Sequence, residues 1–264
     1  MSTALVNPRR RALKVPEVTL VFWVLKLLST AGGEAASDYL GSISIAVAGA
    51  VGVGLMVITG WMQFRAHRYE PATYWAFVAA IAIFGTMAAD AMHVVLDLPY
   101  QLTTCLYVII VAAVLAAWKR WEGSISIHTV TAGAPERFYW ATVLATFALG
   151  TAAGDLAAFT LKLGYLDSAL LFAILFAIPA IAWKLWGRAE VALFWSAYVL
   201  TRPLGASVAD WLGKPPRKAG GLGWGDGVVT LGLFVAFGAI LAVQSRHSDQ
   251  PHVLAVSAVE DEPA

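Results

Sequence analysis

The chain has 264 residues, 59% of them hydrophobic and 13% charged, against about 45–50% and about 25% in soluble domains. Its mean hydropathy is +0.70 and its net charge +1. These values exclude an ordinary soluble enzyme, a nucleic-acid binder and a disordered scaffold. The single cysteine, Cys105, excludes a disulfide framework and any multi-thiolate metal site.

A membrane-spanning helix needs about 20 mostly apolar residues. Eight stretches qualify, at 18–40, 43–64, 73–96, 101–121, 138–161, 167–186, 190–212 and 225–245. Residues 1–16 form a basic N-terminus containing Pro8-Arg9-Arg10-Arg11. The apolar run that follows exceeds the roughly 7–15 residues of a cleaved signal, so the first span reads as a retained anchor. Twelve Lys and Arg residues precede the first span, follow the second, fourth and sixth, or follow the last: Arg9, Arg10, Arg11, Lys14, Arg65, Arg68, Lys119, Arg120, Arg137, Lys184, Arg188 and Arg246. Four lie on the other side: Lys162, Lys214, Arg217 and Lys218. Positive charge collects on the cytoplasmic side, which predicts both termini in the cytoplasm. Residues 17–246 form a single transmembrane domain, and 247–264 a flexible cytoplasmic tail carrying Glu260-Asp261-Glu262.

The chain repeats itself. Trp23, Trp75, Trp140 and Trp195 each follow an aromatic residue (Phe22, Tyr74, Tyr139, Phe194). Ten positions later stand Gly33, Gly85, Gly150 and Gly205, and fifteen positions later Asp38, Asp90, Asp155 and Asp210, each preceded by a small residue. The repeats run over about 17–66, 70–122, 135–187 and 189–246. Two spans per unit make the four units parallel, related by an axis along the membrane normal. The expected fold is an all-α membrane protein of eight transmembrane helices, built from four parallel two-helix repeats that can ring that axis. Gly and the small residue four positions on give a small-xxx-small face for close helix packing. The tryptophans suit the cytoplasmic interface, because Glu17, Glu70, Glu136 and Glu190 open each unit. Fifteen residues at 1.5 Å then put all four Asp about 22 Å further out, at one depth.

A carboxylate inside a membrane helix costs about 2.5 kcal/mol or more and marks a functional site by default. One turn before each Asp stand Glu34, Thr86, Thr151 and Ala206, and His93 follows Asp90 by three. The candidate ligands are Glu34, Asp38, Asp90, His93, Asp155 and Asp210, supported by Thr86, Thr151 and Arg202. Carboxylate, hydroxyl and imidazole donors suit a hard or borderline divalent cation, manganese, magnesium or calcium before iron or zinc. The same carboxylates can exchange protons. The plainer alternative is that Asp, Thr and His hydrogen-bond across helices and tie the repeats together. Lys26, near the cytoplasmic end, reads as a lysine snorkelling to the interface. Arg202 lies deeper, before Pro203, which suggests a broken helix beside a transport site and a counter-charge for the carboxylates.

The Trp-x9-Gly-x4-Asp units, such as Tyr139-Trp140-Ala141 leading to Gly150-Thr151-Ala152-Ala153-Gly154-Asp155, resemble a bacterial family of uncharacterised integral-membrane proteins. The resemblance implies a bacterial inner membrane and brings no activity or binding residues. The residues lead to a secondary transporter of a divalent cation, manganese above others, exported in exchange for protons. Its partners would be the lipid bilayer, the metal ion and protons, with no nucleic acid and no permanently bound cofactor; oligomeric state stays open. The alternatives are a cation channel with an Asp ring, and a membrane enzyme or cofactor binder.

Overall fold

The computed structural model describes residues 12–187 and 189–260. Arg9, Arg10, Arg11 and Arg188, used above to orient the chain, lie outside the described residues, as do Asp261 and Glu262. The helices are α1 (Leu20–Ile43), α2 (Ile45–Arg65), α3 (Pro71–Val94), α4 (Tyr100–Glu122), α5 (Ala134–Asp155), α6 (Gly164–Trp186), α7 (Glu190–Gly213), the short α8 (Pro216–Ala219) and α9 (Asp226–Glu260). Among the described residues eight helices are long, and there is no strand beyond an isolated bridge between Leu13 and Thr131.

Local chemistry sets the helix ends. The Thr19 hydroxyl accepts from the Phe22 N–H at the start of α1. Pro71 and Pro135 occupy first-turn positions of α3 and α5, where the missing N–H costs nothing. Gly123 and Gly187 close α4 and α6 in left-handed geometry, which glycine adopts without strain. Six helices, α2 to α6 and α9, are long and apolar enough to cross a membrane, the mark of a multi-pass membrane protein. α1 and α7 fall short of that apolarity because they carry Lys26, Glu34 and Asp38 in one and Glu190, Arg202 and Asp210 in the other.

The odd-numbered helices α1, α3, α5 and α7 form an inner ring in that order, with α7 closing onto α1. α3 and α5 bury 56% and 72% of their apolar windows, against 11–28% for α2, α4, α6 and α9, which make the outer shell. Each outer helix packs chiefly on the inner helix of the next unit: α2 on α3, α4 on α5, α6 on α7, and α9 back on α1. The repeats therefore exchange their second helices around a closed circle.

The repeat glycines make the ring contacts. A Cβ at Gly85 of α3 would stand 2.7 Å from the Phe147 Cβ of α5, and one at Gly205 of α7 would stand 2.8 Å from the Thr30 Cβ of α1. At Gly33 it would overlap the Ala82 Cβ of α3, and at Gly150 the Arg202 side chain of α7. In every unit the glycine receives the residue that stands seven positions after the next unit's tryptophan: Ala82, Phe147, Arg202 or Thr30. Close approach of this kind drives helix association in lipid.

The tryptophan end of the ring is closed. Trp75, Trp140 and Trp195 do not form an interfacial belt, as the sequence suggested; they are buried with Phe22, Tyr74, Tyr139, Tyr198 and Trp118 in one aromatic layer. Edge-to-face contacts such as Tyr74–Trp75 and Trp118–Trp195 hold it. Outside this layer lies the N-terminal strap, where Lys14 N–H donates to Val130 O and Tyr69 N–H to Leu13 O. The Lys14 ammonium, fully buried, reaches Glu136 at 3.0 Å and the carbonyls of Gln63 and Ala66. Lys14 is therefore a sealed structural cation and not a free surface charge.

Candidate functional site

Three layers follow one another along the inner ring, one helical turn apart, at seven, eleven and fifteen positions after the repeat tryptophans. The first holds Thr30, Ala82, Phe147 and Arg202; the second Glu34, Thr86, Thr151 and Ala206; the third Asp38, Asp90, Asp155 and Asp210.

Arg202 ties the first two layers together. One terminal nitrogen donates to Glu34 Oε2 at 2.8 Å, to Thr151 Oγ1 at 3.0 Å and to Thr86 Oγ1. Its other groups donate to the Thr30 carbonyl at 2.7 Å and the Phe147 carbonyl at 3.4 Å. Glu34 in turn accepts from Thr86 at 3.0 Å and Thr151 at 3.2 Å. A guanidinium thus fills the centre of the ring, hydrogen-bonded from α7 to residues of the other three inner helices. The side chains are 1% exposed for Arg202 and 5% for Glu34, so this is a buried ion pair with hydrogen-bond partners on both members. Pro203 does not break α7, which runs unbroken from Glu190 to Gly213; the expected broken helix is corrected to a continuous one.

The third layer is only partly closed. Asp210 is buried, while Asp38, Asp90 and Asp155 are half-buried. Glu34, Asp38 and Asp210 bring a carboxylate oxygen each to within 4.8 Å of one another. Lys214 bridges Asp38 at 2.7 Å and Asp226 at 3.2 Å. Burial alone would lower the Lys214 pKa, but the carboxylate of Asp38, with Asp210 and Asp226 behind it, outweighs that and raises it above the ordinary lysine value. Lys214 is a fixed cation beside the carboxylate trio. Asp90 and Asp155 stand outside the close trio but within Coulombic reach of Glu34 and Asp38. α5 widens into a π-turn, Leu156–Thr160, directly after Asp155, a distortion frequent at functional sites.

His93 is not part of the trio. Its Nδ1 lies 2.8 Å from the Leu98 carbonyl and its ring stacks on Tyr100 at 3.9 Å, which fixes the turn between α3 and α4. Lys26 does not snorkel. It is 1% exposed, with its ammonium 3.9 Å from the Phe147 ring and 4.1 Å from the Tyr198 ring. The inner ring closes over it, so the stem has no apolar surface to follow outward. Sequence reasoning missed Lys214 and Asp226 altogether. Lys214 follows Asp210 by four residues, so the helical i,i+4 spacing was a usable signal for the first. Asp226 comes next to the site only through the loop that returns from α7 to α9, and no local spacing announces it.

The family described as Repeat of Unknown Function (DUF347) matches three segments, residues 73–124, 138–189 and 193–249, more than half of the chain. The chain belongs to the DUF347 repeat family. The matched segments coincide with the second, third and fourth units and contain their Trp-Gly-Asp series. The first unit is unmatched, although it carries the same series and closes the ring. No curated protein and no solved structure matches the chain.

Proposed function

We propose that this DUF347 protein is a secondary carrier of a divalent metal cation, manganese above others, which exchanges the metal for protons at the carboxylates of the outer layer. The observation that carries the reading is the trio Glu34, Asp38 and Asp210, with oxygens within 4.8 Å of one another inside a membrane-type helix ring. Ligands that are all carboxylate, with threonine hydroxyls beside them, favour manganese, magnesium or calcium over zinc. Around them six carboxylates (Glu34, Asp38, Asp90, Asp155, Asp210, Asp226) face two cations, Arg202 and Lys214. Buried charge of one sign must be balanced, and bound metal or protons would balance it here.

The eight long helices are read as eight spans with both termini in the cytoplasm, in a bacterial inner membrane. The exposed Arg65, Arg68, Lys119, Arg120, Arg137 and Lys184 cluster at the tryptophan end, which puts the Asp layer on the far side. A carrier is favoured over an open channel with an Asp ring because Arg202 occupies the axis and the aromatic layer closes the tryptophan end. Export is the direction that needs proton coupling, since the inside-negative potential already pulls cations inward.

Whole-cell elemental analysis after overproduction in metal-supplemented medium tests the reading. Wild type is expected to lower cell manganese selectively, and Asp38→Asn with Asp210→Asn, present in the membrane at equal amount, is expected to leave it unchanged. A rise with wild type alone would reverse the direction and keep the site. No change in any metal with wild type would contradict a metal carrier.

A further inference from the structure

Proton exchange, on which the carrier reading depends, needs a way for protons to cross the tryptophan end while it is closed, where among the described residues the buried carboxylate, Glu136, is already paired with Lys14. Among the described residues, Lys26 is the buried lysine of that half that neither the cation site nor the Lys14–Glu136 pair uses. Among the described residues no carboxylate pairs with it. Its neighbours are Phe147 from α5, and Tyr198 and Arg202 from α7; Glu34 stands two turns further along its own helix. Phe147 carries both cations, with the Arg202 guanidinium 4.9 Å from the same ring that Lys26 approaches at 3.9 Å. The lysine therefore stands next to the Glu34–Arg202 pair on the side facing the tryptophan end.

From Lys26 a run of hydroxyls leads outward. Lys26 lies over the Tyr198 ring, and the Tyr198 hydroxyl is enclosed beside that of Tyr139 without completing a hydrogen bond. Tyr139 and Tyr74 share a hydrogen bond between their hydroxyls. Tyr69, in the connection between α2 and α3, packs edge-on against Tyr74, and its own hydroxyl is buried without a partner. Burial pushes the Tyr69 hydroxyl up to about 12, so at neutral pH it keeps its proton and both donates and accepts. A bonded pair in the middle, flanked by an unfilled hydroxyl at each end, has the hydrogen-bonding capacity of a relay. Each tyrosine can accept a proton on oxygen while passing its own to the next.

The repeat sequence sharpens this. Lys26 and Tyr198 occupy the same position, three after the unit's tryptophan, where the second and third units have Val78 and Val143. The two polar versions belong to α1 and α7, neighbours in the ring and the two helices that supply Glu34 and Arg202. Packing alone is met by valine at this position, so the departure asks for another explanation.

We infer that Lys26 and the tyrosines Tyr198, Tyr139, Tyr74 and Tyr69 form a proton relay that joins the carboxylate site to the tryptophan end of the ring, a path that passes protons while the aromatic layer holds that end shut to the metal. The proton released at the carboxylates binds the Lys26 amine, and the ammonium gives it up to the tyrosine hydroxyls, which pass it on with no net change at any oxygen. The inference rests on the proposed metal–proton exchange.

Purified protein in liposomes separates the two claims. Exchange of radioactive manganese for unlabelled manganese needs no proton transfer; net manganese movement driven by a pH gradient, followed with an internal pH dye, does. Wild type is expected to do both. Lys26→Met and Tyr139→Phe are expected to keep exchange and to lose gradient-driven net flux by about a hundredfold. Lys26→Arg is decisive against a structural role, since arginine keeps the charge and the ring contacts but does not release its proton; it is expected to fail like Lys26→Met. Net flux unchanged in Lys26→Met and Tyr139→Phe, or restored by Lys26→Arg, overturns the relay while the carrier reading stands. Absence of exchange in wild type overturns the carrier reading and the relay with it.

Discussion

Replacing Arg202 by methionine is expected to destabilise the protein by about 3–5 kcal/mol, the usual consequence of leaving one member of a buried ion pair without the other. Methionine keeps much of the stem that packs against Gly150, so the loss comes from charge and hydrogen bonds more than from volume. It leaves Glu34 enclosed with only Thr86 and Thr151 as donors, and the Thr30 carbonyl without its 2.7 Å partner. Thermal unfolding of the detergent-purified protein measures the effect. Adding Glu34→Gln to Arg202→Met is expected to recover a large part of the loss, because both charges are then gone and the amide still accepts from the threonines. The cycle of single and double variants isolates the coupling. A double variant no more stable than Arg202→Met alone would mean that the pair does not hold the ring centre together.

The second large effect is expected at Gly33. A leucine there would put its Cβ onto that of Ala82 and 2.9 Å from the Ala82 carbonyl carbon, so the backbone of α3 itself must move. Because α1, α3, α5 and α7 form a closed circle, a displaced pair cannot be absorbed by opening one side. Gly33→Leu is expected to cost about 3 kcal/mol or more, read as a lowered midpoint of thermal unfolding in detergent. Gly54→Leu is the control: no atom of another helix lies within 4 Å of a Cβ at that position on α2. It is expected to change the midpoint of unfolding little. Equal damage from the two would contradict the assignment of the repeat glycines to the ring contacts.

Much of this architecture was legible in the residues because the repeat states it four times. Trp-x9-Gly-x4-Asp fixes which helices are equivalent, and the small-xxx-small face announces close packing before any coordinate is known. Helix starts were legible where Glu70, Glu136 and Glu190 open their units. What the sequence could not deliver was direction. The spans are apolar on all sides, so no periodicity tells which face meets which neighbour, and the packing of α2 on α3 more than on α1 is visible only in the assembled ring. Lys26 illustrates the same limit: a lysine three residues past a tryptophan has the spacing of an interfacial anchor. Only the rings of Phe147 and Tyr198, brought from two other helices, draw it inward. The four Asp share one level as the spacing requires, but Lys214 and the position of Glu34 draw Asp38 and Asp210 into a tighter group than Asp90 and Asp155.

That asymmetry divides the site into two halves. Units two and three supply Thr86, Thr151, Asp90 and Asp155, a polar wall; units one and four supply Glu34, Arg202, Lys26 and Tyr198, the charged seam between α1 and α7. In this arrangement Arg202 stands where a cation would otherwise draw on Glu34, and Lys214 stands against Asp38. Metal entering the trio would compete with both.

The most direct test is a titration of the purified protein with manganese, followed by the loss of the free-ion signal in electron paramagnetic resonance. Saturable binding is expected for wild type, and affinity lower by about a hundredfold or more for Asp38→Asn with Asp210→Asn. Asp90→Asn with Asp155→Asn, which lie outside the close trio, should weaken binding less. Undiminished binding by the Asp38/Asp210 variant, or no saturable binding by wild type, would contradict a metal site at these carboxylates.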